Sequence, residues 1–343
     1  MSWGSVRGHD RIVAGLRQSM AQGRFPHAFL FVGPEGVGKR LFALTLAQAL
    51  LCERRVEEAL DPCGSCPSCL QVEAGTHPDL LVVQKPEDKH ELPISTIRDL
   101  CLSLSLKPMR GLRRIAIVDD ADDLSEEAAN AFLKTLEEPP PGSVLILIGT
   151  SAELQLDTVV SRCRVVPFEP LSESDLAAVL QEQGIASDAE EAARLAQWGE
   201  GSVQRARGLA DRELEAFRRS LIDELAGPRN FEAPALARRM ESFIKEAGKE
   251  SVAQRDRACL LLGELARFFR GCLWQTAGVE PPAHDPADRL AAAKLAARLE
   301  PEDVFLLADR CLQADYQVRR KAYLPLILDA LAHDLGQILN PRH

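Results

Sequence analysis

Three groups of residues have the types and spacings that chemistry needs. The first is Gly33–Arg40, GPEGVGKR. Gly33, Gly36 and Gly38 let backbone N–H groups surround phosphate oxygens, and Lys39 adds charge. The phosphate-loop pattern ends on Ser or Thr, whose hydroxyl is a magnesium ligand. Here that position is Arg40, which removes the ligand and brings a positive charge. The plainer reading is a glycine turn that only joins a strand to a helix. The second group is Asp119 and Asp120, at the end of the apolar run IAIV. Ligands of open α/β sheets sit beyond the carboxyl ends of strands, so Asp119 suits a carboxylate that holds magnesium through water. Asp120 stands where nucleotidases of this kind have a Glu that polarises water. It is one methylene shorter, which misplaces a base that must lie within hydrogen-bond reach. The plainer reading is a pair of solvated strand-end carboxylates. The third group is Cys52, Cys63, Cys66 and Cys69, spaced C-x10-C-x2-C-x2-C. Four thiolates suit a closed, structural zinc site. An iron–sulfur cluster or unliganded thiols are the alternatives.

These residues need elements to hold them. AFLFV, 28–32, is a short apolar run leading into the glycine loop and reads as a buried parallel strand. KRLFALTLAQALL follows as a helix, with Leu41, Leu44, Gln48 and Leu51 along one side. Residues 79–83 read as a second strand, 94–104 as a helix, and RRIAIVDDAD as a third strand ending in the carboxylates. SEEAANAFLKTLEEPPPG is a helix with Ser125 at its start, Glu126 and Glu127 in its first turn, and prolines at its end. SVLILIGT is the fourth strand. Strand and helix alternate, so the first 170 residues are a parallel α/β domain. After VVPFEPLS the periodicity is helical: a small unit over about 171–211, punctuation at Pro228 and Pro234, and a loop near AGVEPPAHDPAD.

With 343 residues there is room for two or three domains. At 46% hydrophobic and 27% charged, the composition is that of a globular protein, and no apolar run approaches a membrane span. The N-terminus lacks the blocks of a signal peptide, so the expectation is a cytoplasmic protein. A net charge of −10 argues against a free-standing DNA binder. Cys101, Cys163, Cys259, Cys272 and Cys311 fall on apolar patterns and read as small buried residues. The pairs Arg113–Arg114 and Arg238–Arg239, and Arg319–Arg320 with Lys321, read as solvated faces. The seven histidines have no ligand spacing.

GRFPHAFLFVGPEGVGK, the four-cysteine insert, AANAFLKTLEEPPPGSVLILI and SRCRVVPF together resemble the bacterial DNA polymerase III clamp-loader subunits. The resemblance is strong over about residues 5–170 and weak beyond 212. It implies an AAA+ P-loop domain with a zinc module (1–170, module 52–69), an all-helical lid (171–212) and an all-helical collar (213–343) that joins a five-subunit ring. Its partners would be gamma/tau and delta subunits, the sliding clamp, and primed DNA through the complex. Arg162, in SRC, matches the family's arginine finger, which reaches a neighbour's ATP. Thr150 falls at the sensor 1 position. GSVQRA, from Gly201, corresponds to the sensor 2 motif, where Gln204 replaces an Arg and Arg205 lies one residue off. Arg40, Asp120 and Gln204 thus remove the metal ligand, the water-positioning group and the phosphate clamp. The implied protein holds ATP or ADP at most, shows little or no ATPase as a lone chain, and stimulates a neighbour. The alternatives are an ATP-hydrolysing subunit of the same ring and, more distantly, a zinc-containing P-loop kinase.

Overall fold

AFLFV has no polar side to show to water, and every residue of β1 (Ala28–Val32) is buried. In this computed structural model, which describes residues 2–86, 91–227, 232–248, 251–279 and 286–340, β1 lies inside a five-stranded sheet. The other strands are β2 (Leu80–Val83), β3 (Arg114–Val118), β4 (Ser143–Ile148) and β5 (Arg164–Pro167). Their order is β2-β3-β4-β1-β5 and every pairing is parallel. Apolar runs such as β1, β3 and β4 are what a parallel sheet covered on both faces needs.

Successive side chains of a strand point to opposite faces, so β1 feeds two cores. Phe29 and Phe31 enter one with Phe42, Leu46 and Phe168; Leu30 enters the other with Ile97, Phe132 and Leu136. The first core is closed by α1 (Asp10–Ala21) and α2 (Lys39–Leu50), the second by α4 (Ile94–Leu104) and α5 (Glu126–Glu137). Phe42 stands edge-on to both Phe31 and Phe168, at 5.6 and 5.1 Å between ring centroids, the arrangement the ring quadrupole favours. Ser125 caps α5 by accepting the Ala128 amide at 3.1 Å.

The expected single apolar side of α2 is too narrow. Leu41 and Leu44 are only half-buried, whereas Phe42, Ala43, Leu46 and Ala47 are fully buried. The sheet covers one side of this helix and α3 (Pro67–Glu73) packs on it as well. A fifth strand, β5, not singled out in the sequence, occupies the RVVP stretch just before the pattern turns helical. It is a half-exposed edge strand ending on Pro167, and edge strands tolerate proline because one side of the ladder is open. Arg114 does not sit on a solvated face either. It is 6% exposed and lies 4.0 Å from the fully buried Asp79, whose carboxylate also accepts the Met109 and Arg110 amides at 2.7 and 2.9 Å.

The chain divides into two compact units, Met1–Gln204 and Arg205–His343. The first also contains the short α6 (Asp157–Val160), then α7 (Glu173–Glu182), α8 (Ala189–Gly199) and the start of α9 (Val203–Ala210). The second has helices and, among its described residues, no strand: α10 (Arg212–Leu225), α11 (Ala233–Lys245), α12 (Ser251–Thr276), α13 (Pro286–Ala296), α14 (Pro301–Arg319) and α15 (Leu324–Leu339). Met240, Leu261, Phe269, Leu307 and Leu331 are among its core residues. Pro228 and residues 280–285, half of the stretch AGVEPPAHDPAD where a loop was expected, lie outside the described residues. Cys272 and Cys311 are buried here, and burial pushes both thiols up to about 12. They are packed, unreactive groups.

Phe132 is fully buried between α5 and the sheet. Phe132→Ala should cost about 3–5 kcal/mol, read as a lower midpoint for the first unit in denaturant unfolding of the whole chain.

Candidate nucleotide and metal sites

Register brings three strand ends to one level. Phe31 pairs with Ile148, and Val118 with Leu147. The glycine loop therefore leaves β1 beside Asp119, at the end of β3, and Thr150, just beyond β4. The Gly33 amide donates to the Thr150 carbonyl at 3.0 Å, tying the first residue of the loop to the residue just beyond β4.

Gly33, Gly36 and Gly38 have φ of 148°, 77° and 99°, a region that favours glycine. A Cβ on Gly33 would lie 2.3 Å from the Phe168 carbonyl oxygen, and one on Gly36 would lie 2.4 Å from Ser202 Oγ. The turn before α9 thus sits against the loop. The Val203 amide donates to the Gly36 carbonyl at 3.0 Å, and Ser202 Oγ donates to the Glu35 carbonyl at 2.9 Å. Gln204 follows directly and is exposed. From the other side His9, buried against Phe168, contacts the Val37 carbonyl through Nε2 at 2.8 Å.

Lys39 is 8% exposed, and its ammonium donates to the carbonyls of Gly33 and, at 2.7 Å, Pro34. Burial pulls its pKa down, and Glu35, Asp122 and Asp119 oppose that shift. Arg40, one residue on, turns to the strand ends. Its Nη1 lies 2.6 Å from Asp119 Oδ2 and 2.9 Å from Gln84 Oε1. The last residue of the glycine-loop motif is thus joined to the carboxylate at the end of β3 in one ion pair. Asp120 is in the left-handed region, φ 54°. The surrounding protein, with Asp119 and Asp123 adding repulsion, pushes its carboxyl above the usual range.

Sequence reasoning passed over Asp122, which organises this end of the sheet. Its Oδ2 accepts the Thr150 amide at 2.6 Å and the Thr150 hydroxyl at 2.7 Å; its Oδ1 accepts Gln155 Nε2 at 2.7 Å. The signal was a third carboxylate two residues beyond the pair, in a run that reads as solvated acid. Arg162 lies elsewhere, beyond α6 and before β5. Its guanidinium is held by Glu137, the last residue of α5, with Nε at 2.7 Å, and by the Thr158 carbonyl at 2.8 Å.

The four cysteines converge. Cys52 follows α2, Cys63 lies on the loop, Cys66 caps α3 and Cys69 is inside that helix. Their sulfurs all lie within 4.8 Å of one another. Tetrahedral zinc with bonds of about 2.3 Å needs sulfurs about 3.8 Å apart, and Cys63 and Cys69 stand at 3.9 Å. The Cys66 amide donates to Cys63 Sγ at 3.3 Å and the Cys69 amide to Cys66 Sγ at 3.4 Å. Such bonds favour thiolate, and hydrogen bonding pulls Cys63 down to about 6. The donor set fits a structural zinc ion. Around it Ser68 donates to Glu53 at 2.8 Å and meets His77 Nε2 at 3.0 Å, while His77 Nδ1 accepts the Asp79 amide at 3.1 Å.

A glycine loop after an inner strand, with carboxylate and hydroxyl groups at neighbouring strand ends, gives this parallel sheet the layout of a P-loop domain. Residues 8–172 match the family model described as "DNA polymerase III, delta subunit". The delta' subunit of Bacillus subtilis (strain 168) is 35% identical over 51% of this chain and 52% of its own length. The delta' subunit of Pseudomonas aeruginosa is 39% identical over 40% of this chain and 41% of its own, and the tau subunit of Escherichia coli (strain K12) 31% identical over 62% and 33%. The chain spans about half the length, or less, of these relatives. Over the matched residues the chain is similar to DNA polymerase III clamp-loader subunits, and of these three relatives the two delta' subunits are the more similar. Among the described residues no helix is long and apolar enough to cross a membrane.

Asp122→Ala strips three donors of their acceptor. Hydrogen bonds to a charged group contribute about 1.5–3 kcal/mol each, and less than the sum when they share one partner. A loss of about 2–4 kcal/mol is expected in denaturant unfolding, with zinc content unchanged.

Proposed function

We propose that this protein works as a delta' subunit of a DNA polymerase III clamp loader. It completes the ring beside gamma/tau and delta subunits, hydrolyses little or no ATP itself, and supplies Arg162 to a neighbour's ATP during replication in the cytoplasm. Sliding clamp and primed DNA are engaged through the complex. The three-part division is retained: 1–170 as the P-loop domain, 171–212 as lid and 213–343 as collar. The observation that carries the reading is the Arg40–Asp119 ion pair at 2.6 Å. It takes up the carboxylate a hydrolytic magnesium ion needs, while Gly33, Gly36, Gly38 and Lys39 retain a cradle able to hold nucleotide. Asp120 is too short to position water well, and Gln204 carries no charge for a phosphate. Thr150 remains at the strand end as a polar group near that cradle.

Arg162 suits a finger for two reasons. Its forked, permanently charged head matches a phosphoryl group gaining charge on its equatorial oxygens. Its partner Glu137 is 48% exposed, and an exposed ion pair holds by only about 0–1 kcal/mol, so a docking neighbour can draw the arginine away. In the reconstituted complex, Arg162→Ala should leave assembly and nucleotide binding intact and slow hydrolysis at one adjoining site. A finger in trans is worth about 10³–10⁵ at its own site; the whole loader, with several sites, loses less. Wild-type clamp loading by that complex would remove the regulatory role.

One observation favours the hydrolysing reading. Similarity to the Escherichia coli tau subunit runs over 217 residues, longer than the 175 shared with the Bacillus subtilis delta' subunit. Magnesium-dependent ATPase by the lone chain, abolished by Lys39→Ala, would establish it; the delta' reading expects none.

Zinc, held by Cys52, Cys63, Cys66 and Cys69, serves as a structural clamp with no open coordination position. Metal analysis should find one zinc per chain, with no visible iron–sulfur absorbance. Cys63→Ser should lower the melting temperature of the first unit and leave the second folded.

A further inference from the structure

A phosphate loop ordinarily works with a divalent ion that offsets phosphate charge and is itself held by oxygen ligands. Two of those oxygens are compromised here. Position 40 has no hydroxyl, and Asp119 Oδ2 is bound by the Arg40 guanidinium at 2.6 Å. The Thr150 hydroxyl, just beyond the neighbouring strand β4, donates to Asp122 at 2.7 Å.

Arg40 is placed to do more than block. It is the second residue of α2, at the helix end where backbone N–H groups and the helix dipole favour anions. Only its Nη1 is engaged, by Asp119 and Gln84. Its Nε and Nη2 make no hydrogen bond among the described residues, and its side chain is 51% exposed. A guanidinium has five donors in a fixed fork, enough for a carboxylate on one edge and a phosphate on another. Asp119 is only 15% exposed, so the carboxylate is a fixed anchor for the more mobile arginine.

We infer that Arg40 is a built-in cation that replaces the divalent ion, so that this loop takes a nucleoside di- or triphosphate in metal-free form. Asp119 changes role accordingly: it orients an arginine where an active nucleotidase uses it to hold a metal. The guanidinium and Lys39 then supply the positive charge that offsets the phosphates, and the missing hydroxyl at position 40 together with the engaged carboxylate of Asp119 disfavours the magnesium complex. This rests on the cradle reading proposed above, and it adds the charge state of the ligand.

The test is calorimetric titration of the full chain with ADP and with ATP, once in excess magnesium and once in EDTA. Wild-type protein should bind at least as tightly in EDTA. Arg40→Thr, which restores a hydroxyl and removes the charge, should weaken binding in EDTA on the order of ten- to a hundredfold and make what remains depend on magnesium. Arg40→Lys should restore part of the metal-free affinity. Asp119→Asn gives opposite signs for the two designs. It removes a negative charge and tightens binding here, whereas it weakens binding where a metal is used. Zinc content and melting temperature report that each variant is folded. Wild-type binding that requires magnesium, or an Arg40→Thr protein that still binds in EDTA like wild type, overturns the inference and leaves the Arg162 role intact, since that role is read from hydrolysis in the assembled complex. No binding by wild type in either condition overturns both the cradle and the built-in cation.

Discussion

Every group in the candidate nucleotide site depends on a strand that is hydrogen-bonded along both edges and buried on both faces. β1 lies between β4 and β5, and its alternating Phe29, Leu30 and Phe31 anchor two separate cores. The backbone ladder then runs on past the strands. The Gly149 amide reaches the Phe31 carbonyl at 2.9 Å, Gly33 reaches Thr150, and the Asp119 amide reaches the Val83 carbonyl at 2.8 Å. Loop residues that would otherwise move freely inherit the sheet's register. Displacing any of them means breaking backbone hydrogen bonds whose groups have few other partners.

Charge at these strand ends is arranged in pairs that differ in how firmly they hold. Asp119 is mostly buried, so a partner compensates a real desolvation penalty, and Arg40 is held there against half-exposure of its own side chain. Arg162 and Glu137 meet where water competes for both. Water screening makes such exposed pairs weak. The same residue type thus has one copy paired with a mostly buried carboxylate and another in a pair that water weakens. Arg205, next to Gln204, is committed in a third way: its Nε meets Glu264 at 2.9 Å, and both side chains are largely buried.

Much of this was readable from the sequence because it is local. The four apolar strands, the capped α5 and the cysteine spacing follow from periodicity and from pairs a few residues apart. What escaped notice depends on contacts between distant segments. β5 is short, carries Arg164 and Pro167, and is a strand only because β1 pairs with it. Arg114 is buried because Asp79, 35 positions earlier in the chain, sits beneath it. Asp122 looks like one more acid in DDADD, and its importance lies in Thr150 and Gln155 on the next strand's loop. The arginine at position 40 was legible as a missing ligand. Its ion pair with Asp119 was not, since that requires knowing that β1 and β3 end at the same level.

The glycines bear on how such a loop persists when its chemistry has changed. A phosphate cradle is usually explained by its ligand, yet Gly33 and Gly36 are required by the protein itself. A side chain on the first would enter the Phe168 backbone, and one on the second would meet Ser202 and Gln204. Both contacts belong to the chain that returns from β5 and α8 to lie over the loop. Gly38 differs: nothing lies within 4 Å of its would-be Cβ, and only its φ of 99° calls for glycine. That conformation sets the first turn of α2, which begins at Lys39. Packing therefore preserves the shape of the loop whether or not phosphate is bound, and Lys39 and Arg40 are left as the two positions where charge alone decides what the loop can hold.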